Sequence, residues 1–286
     1  MELEYSSGFV TFADILGWKG IWQTNNHKNP VNSLIEIKST ISESITLMNK
    51  RHFEYLLNAE LKDYIDSDLK KEILNYIFRK DLSIKEAINK TFKSKKELSE
   101  FETAVDSYSV AIKVDLISDT FIITSTSKNQ LHEFYIHMLI CQRLLLECLK
   151  EGLLIRGATS YGDYYNKELV FIGPAIDDSA SWHEMGEEIG IFLTPKAMLM
   201  IKPIDLKNVK LTISDLKILD IVISGEPKIK VNTFLTFLVD WYDGKDYFYN
   251  IISKYPTIFP EIHNKILYSN NRLDFFERLR KDTVVE

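Results

Sequence analysis

Apolar and polar positions fall into two textures along this chain. Residues 7 to 15 place Phe9, Val10 and Phe12 in a short run that meets a carboxylate at Asp14 and ends at Gly17, the pattern of a buried strand. Trp18, Ile21 and Trp22 begin an amphipathic segment that Asn25-Asn26 and Asn29-Pro30 interrupt, both of them loop signals. From Val31 to Glu102 the period is helical: Leu34, Ile37, Ile41, Ile45 and Met48 are followed by Leu56, Leu57, Leu61 and Ile65, then by Ile73, Ile77 and Phe78. Rich in Lys and Glu and nearly free of Gly and Pro, this stretch predicts roughly three or four helices with polar outer faces.

Strand texture returns at Tyr108. Tyr108, Val110, Ile112 and Val114 alternate with polar or small residues, and Phe121-Ile-Ile-Thr124 follows closely enough to pair as a hairpin, with Asp119 near its bend. Ser127-Lys-Asn-Gln130 has the spacing of a capping box and opens a long helix, closed by Gly152, with Leu131, Phe134, Tyr135, Met138, Leu145 and Leu149 on one face. Leu153 to Gly162, Leu169 to Ile172 and Ile189 to Leu193 read as strands, and Pro174 and Pro195 stand early in two further helices. Leu219 to Ile223 and Thr233 to Trp241 look extended, and the last forty residues helical. Mixed strands and helices around a central hairpin predict an α+β sandwich, not a doubly wound parallel sheet. The expected division is a domain over 1–235, carrying a helical insertion at about 31–105, with a helical extension over 236–286.

Composition narrows the function classes. Of 286 residues, 45% are hydrophobic, enough for a large core, and the net charge of −6 gives no basic face for nucleic acid. Cys141 and Cys148 lie seven positions apart in a helical pattern, roughly 10 Å along the axis, too far for a mutual disulfide. They read as buried reduced thiols. No apolar run approaches the roughly 20 residues of a membrane span, and the acidic start, Met-Glu-Leu-Glu-Tyr, does not resemble a signal peptide. The expectation is a cytoplasmic protein.

Asp14 ends one strand and Asp119 sits at the bend of a hairpin. If those strands are neighbours, the carboxylates meet at a sheet edge, where two of them with a backbone carbonyl suit Mg²⁺ or Mn²⁺. The plain alternative is a helix cap and an unrelated loop carboxylate. The plain reading of Arg156 is a structural ion pair with a carboxylate of the helical stretch. The plain reading of Lys113 is a solvent-facing strand residue.

At these residues the chain resembles class III nucleotidyl cyclases. Phe12-Ala-Asp14-Ile-Leu-Gly17 is similar to the family's first metal motif, Phe-x-Asp-Ile-x-Gly. Leu116-Ile-Ser-Asp119-Thr-Phe resembles the second, with Ser118 in place of the usual Gly. Leu154-Ile-Arg156-Gly-Ala-Thr-Ser-Tyr-Gly162 resembles the Arg-x-Gly strand, Gly173-Pro-Ala-Ile-Asp-Asp-Ser-Ala180 the start of the Asn-containing helix, and Thr194-Pro195 the next helix. The resemblance runs in family order from 7 to about 201. It implies the ferredoxin-like cyclase sandwich, two metal ions on Asp14, Asp119 and the carbonyl of Ile15, a phosphate contact from Arg156 and base selection by Lys113. It also implies a homodimer with shared sites, a nucleoside triphosphate substrate and a 3′,5′-cyclic product.

Departures are equally specific. Asp177 stands where the family has Asn, Ser181 where it has a transition-state Arg, and Val170 where a purine-reading Asp belongs. His183, anchored by Glu184, is the candidate substitute cation; the alternative is an ordinary helix residue. Altered base-reading positions in a compact chain resemble the uridylate and cytidylate cyclases of the bacterial Pycsar antiphage system. A catalytically degenerate module that binds a nucleotide, or a protein through the helical insertion, is the competing expectation.

Overall fold

The computed structural model describes residues 5–18, 30–59, 110–201, 222–230, 234, 236–254 and 260–283. Its first strand, β1 (Ser6–Ile15), leads to a long helix, α1 (Pro30–Ala59). A hairpin follows, β2 (Val110–Ile117) and β3 (Thr120–Ser127), then α2 (Gln130–Lys150) and the long strand β4 (Ile155–Lys167). The strands stand in the order β2-β3-β1-β4, each pair antiparallel. Together with α1 and α2 this is the β-α-β-β-α-β topology of a ferredoxin-like sheet, the predicted α+β sandwich. The helices expected between 60 and 105, and the Tyr108 end of the predicted strand, lie outside the described residues.

Beyond β4 come β5 (Val170–Ile172), α3 (Pro174–His183), β6 (Gly190–Leu193), α4 (Pro195–Ile201), β7 (Val222–Gly225) and β8 (Thr236–Val239). β6 joins β4 in parallel, β8 and β7 extend the sheet, and β5 pairs with the far end of β4. A turn at Tyr242–Gly244 leads into α5 (Lys245–Lys254) and α6 (Pro260–Thr283). The β4–β5 connection has positive φ at both Glu168 (53°) and Leu169 (62°), the two-residue turn whose twist matches a hairpin. Leu169 therefore belongs to the turn rather than to the strand predicted from 169.

Alternation along β1 divides the molecule into layers. Phe9, Ala13 and Ile15 enter the main core with Phe134, Leu145 and Trp241, while Val10 and Phe12 meet Ala175 and Ile176 of α3 on the opposite face. Period-2 geometry makes that division obligatory. α1 packs on α2 and β2; α5 and α6 enter the main core through Phe248, Ile251, Leu273 and Phe276. Cys141 and Cys148 are free and buried, as their spacing predicted, and burial pushes the Cys141 thiol up to about 12.

The expected capping box fails by two residues. Asn129, not Ser127, caps α2, accepting from Leu131 N at 3.1 Å and His132 N at 3.2 Å. Gln130 does not reach back as the box requires; its Nε2 donates to the Tyr161 hydroxyl at 2.8 Å.

Candidate active site

Strand register assembles the site. Asp14 lies opposite Thr120 on β3 and opposite Arg156 on β4. Three residues far apart in sequence thus share one row across three strands, where β1 ends. Asp119 joins them through the tight β2–β3 turn: the Ile15 N–H donates to its carbonyl at 3.1 Å. Ser118 holds the left-handed conformation at φ 57°, uncommon for a residue with a Cβ, at the position where the resemblance has Gly.

Asp14 is partly buried, with Asp119 as a like charge beside it. Its carboxyl is pushed above the ordinary carboxylate range, first by burial and then by the charge of Asp119; Arg156, His183 and a Thr120 hydroxyl pull the other way. The Thr120 contact is long, at 3.4 Å to Oδ1, and Arg156 Nη2 stands 3.7 Å from Oδ2. The repulsion between the two carboxylates, which Arg156 and His183 counter, would be relieved further by a cation. Among the described residues no group of three His, Cys, Asp or Glu side chains converges, so the donor set here is two carboxylates with a carbonyl available at Ile15. That set of hard oxygen donors fits Mg²⁺ or Mn²⁺, ions that fill their remaining positions with water or phosphate oxygens.

Among the described residues the ion pair of Arg156 is with Asp14 and not with a carboxylate of α1; most of the helical stretch lies outside them. Besides Asp14, its Nη1 donates to the carbonyls of Glu184 at 3.2 Å and Gly186 at 3.3 Å. His183 does not lean on Glu184, contrary to expectation. Its Nδ1 lies 2.5 Å from the Ala180 carbonyl and its ring 5.9 Å from that of Phe12. The end of α3 therefore brings the imidazole to the Asp14 side of the sheet, the face that Phe12 and Asp14 share.

The remaining candidates stand apart. Lys113 is exposed, paired with Asp115 at 3.1 Å and hydrogen-bonded to Asn166 at 2.9 Å. Its Nζ is 6.0 Å from the centre of the Phe171 ring on β5. Val170, its neighbour on that strand, is 48% exposed. Asp177 and Ser181 both lie exposed on α3, and the Ser181 hydroxyl is spent on the Asp177 carbonyl at 2.7 Å.

Asp178, beside Asp177, is a residue that sequence reasoning passed over. Its Oδ2 accepts from Ser160 of β4 and, at 2.7 Å, from Thr194, the residue that caps α4. It locks α3 against β4 and so fixes where His183 emerges.

A scan against protein-family models and a search of curated proteins return no match. Two solved structures are similar to the chain at low identity. One is the catalytic core of a rhodopsin-guanylyl cyclase with converted specificity in complex with ATPαS, at 10% identity, TM-score 0.35, covering 84% of this chain and 98% of that one. The other is a bacterial light-regulated adenylyl cyclase, at 12% identity, TM-score 0.38, covering 88% of this chain and 58% of that one.

Proposed function

We propose that this protein is a metal-dependent nucleotidyl cyclase that converts a nucleoside triphosphate to a 3′,5′-cyclic nucleotide and pyrophosphate. The observation that carries the reading is the meeting of Asp14, Asp119 and Arg156 at one end of three adjacent strands, each within a motif that resembles its cyclase counterpart.

Asp14, Asp119 and the Ile15 carbonyl are the groups that would hold two Mg²⁺ or Mn²⁺ ions. Bound there, the ions would acidify the ribose 3′-hydroxyl and neutralise triphosphate charge. Arg156 would present its fork to the phosphate oxygens. It reaches Asp14 only weakly, and that carboxylate is the contact it gives up to do so. His183 stands on the same face, where its imidazole would be a second donor to the developing charge.

Lys113, Val170, Asp177 and Ser181 lie away from the contacts of Asp14, on exposed surface. That supports a homodimer in which these residues serve the partner's metal end. Val170 offers no hydrogen bond to a base, which favours a small pyrimidine ring over a purine and hence UTP or CTP, with antiphage signalling in the cytoplasm as the corresponding role. The described residues include no helix long and apolar enough to cross a membrane.

A second reading has its own observation. Ser181 is a poor stand-in for a transition-state cation because its hydroxyl is occupied by its own helix. A module that binds nucleotide without turnover would follow. One experiment separates the two: incubation of the purified protein with Mn²⁺ and each of the four NTPs, with products identified by mass spectrometry. A cyclic product from one of them is expected. Tight binding in calorimetry with every NTP intact would sink the cyclase and favour the module.

A further inference from the structure

The stretch that leads from α3 into β6, residues 184–190, is bridged to residues 228–230. There the Glu187 N–H donates to the Lys228 carbonyl at 2.8 Å and the Lys230 N–H to the Met185 carbonyl at 3.0 Å. Side chains grip the stretch from two further sides. On one side Arg156 donates to the carbonyls of Glu184 and Gly186. Its Nε is buried without a partner, so those two carbonyls and the 3.7 Å approach to Asp14 are what place the guanidinium. A group held by carbonyls sits wherever the backbone carrying them sits.

On the other side α6 fastens the same backbone. Ser269 Oγ accepts from the Ile189 N–H at 2.9 Å. Arg272 grips both oxygens of Glu188, at 3.0 and 3.3 Å, and also donates to the Glu226 carbonyl. Lys265 approaches Glu187 at 3.8 Å. The Glu188–Arg272 pair is almost dry, with side chains 9% and 11% exposed. A bidentate pair in such surroundings has one geometry and resists sliding. Burial raises the Glu188 carboxyl and Arg272 opposes that rise.

We propose that Glu188, Arg272 and Ser269 are positioning residues for Arg156: the C-terminal helix, acting with the 228–230 backbone, fixes the 184–190 backbone, and that backbone sets the guanidinium that would meet the triphosphate. The inference rests on the reading of Arg156 as a phosphate contact, but the positioning has its own observable. Helix α6 also carries an internal control. Arg280 ties its other end to Asp240 at 2.8 Å, away from the segment.

The test uses the full chain with three variants: Glu188→Gln, Ser269→Ala and, as control, Arg280→Lys. The first readout is ¹⁵N relaxation of the Arg156 side-chain Nε–Hε group, assigned by its loss in Arg156→Ala. Rigid in the parent, it is expected to gain fast motion in Glu188→Gln and, less, in Ser269→Ala, while Arg280→Lys leaves it unchanged. The second readout is nucleotide turnover with Mn²⁺. Glu188→Gln is expected to raise KM about 10-fold with kcat within about 2-fold, the mark of lost uniform binding. In an Arg156→Ala background the same substitution adds less than about 2-fold, because residues acting through one group are not additive.

An Arg156 side chain as rigid in both segment variants as in the parent overturns the proposal. So does equal loosening by Arg280→Lys, which would reduce the effect to helix anchorage. Should Glu188→Gln fail to fold, Ser269→Ala, which removes the bond to Ile189 and one within its own helix to the Lys265 carbonyl, decides alone. A parent protein that turns over no nucleotide would sink the cyclase reading and leave the relaxation measurement to decide the positioning.

Discussion

Thr11 and Asp14 belong to the same strand and live in opposite electrostatic worlds. Thr11 faces α2 at the middle of β1, where its hydroxyl is 2.7 Å from His137 Nε2 and 2.6 Å from Thr159 Oγ1. His137 Nδ1 continues to Ser125 at 2.8 Å, and Ser125 donates to Glu133 at 2.8 Å. Proton counting fixes the chain. Ser125 has given its only hydrogen to Glu133, so His137 must donate from Nδ1 and accept at Nε2 from Thr11. The hydroxyls are paired, burial keeps the His137 imidazole neutral, and burial pushes the one carboxyl there, Glu133, up to about 7. Three residues on, Asp14 meets a second carboxylate and a distant arginine, and its balance is left open. Interior polarity that is closed on itself specifies a fold. Polarity left open at a strand end is where an ion or a substrate can be taken up.

The largest effect should come from Asp14→Ala. Loss of one of two carboxylate donors is expected to lower turnover at least about 100-fold. The same substitution removes a charge that burial and Asp119 both oppose, so the melting temperature should hold or rise. A fall in stability with activity retained would erase the contrast between the two regions.

At the closed region the corresponding change is Gly8→Ala. A Cβ there would strike the Ser125 carbonyl and the Glu133 carboxylate, and neither can retreat without breaking the network. The expected cost is about 3 kcal/mol, read as a melting temperature lower by roughly 5–10 °C. A shift of no more than a degree would mean that the network is loose.

Glu133 tests whether the closed region is neutral by design. It is fully buried, accepts from Phe9 N at 2.9 Å, and leaves Oε2 without a partner; burial pushes its carboxyl up to about 7 from 4.5. The folded state therefore holds a proton that the unfolded state releases. The resulting stability is complete below pH 4.5 and lost as pH rises through 7, at most roughly 3 kcal/mol in all. His137 works in the opposite sense. Burial lowers it to about 3 from 6.5, so its contribution is present above pH 6.5 and lost as pH falls through 3. In Glu133→Gln only the histidine slope remains, and the variant's melting temperature should climb relative to the parent between pH 4.5 and 7.5. A constant difference across that range would show the carboxyl to be ionised throughout.

The open region was the more legible of the two in sequence. A carboxylate at the end of an apolar run is visible as such, and the alternation of Val110, Ile112 and Val114 before Phe121 announces the hairpin that carries Asp119. Glu133 and His137 were invisible for a physical reason. Spaced four apart in a helix, they look like an outward polar stripe, and only the Ser125, Thr11 and Thr159 hydroxyls of neighbouring strands make an inward position tolerable. Ser127 looked like the cap of α2 because its spacing to Gln130 is right, but Tyr161 claims the Gln side chain. The Asp14–Arg156 contact depends on register between β1 and β4, which is set by packing over the whole pair and is written in no single residue.

Lys113 offers the smallest effect and the finest discrimination. Its ion pair with Asp115 is half in solvent, at 49% exposure for the lysine, where such pairs are worth about 0–1 kcal/mol. Lys113→Ala should therefore barely move the melting temperature. Asp115 is buried and keeps a hydrogen bond from Asn166 Nδ2 at 3.2 Å, so it is not left bare. If Lys113 is a solvent-facing strand residue, turnover of all four NTPs will be unchanged as well. If it reads the base, the ratio of kcat/KM between the preferred NTP and the next should fall by about 10-fold or more, since a site built around a hydrogen bond discriminates by that bond. Stability unmoved with specificity lost would make Lys113 part of the open region, despite its distance from the contacts of Asp14, and would place the reader of the base on the partner's side of a shared site.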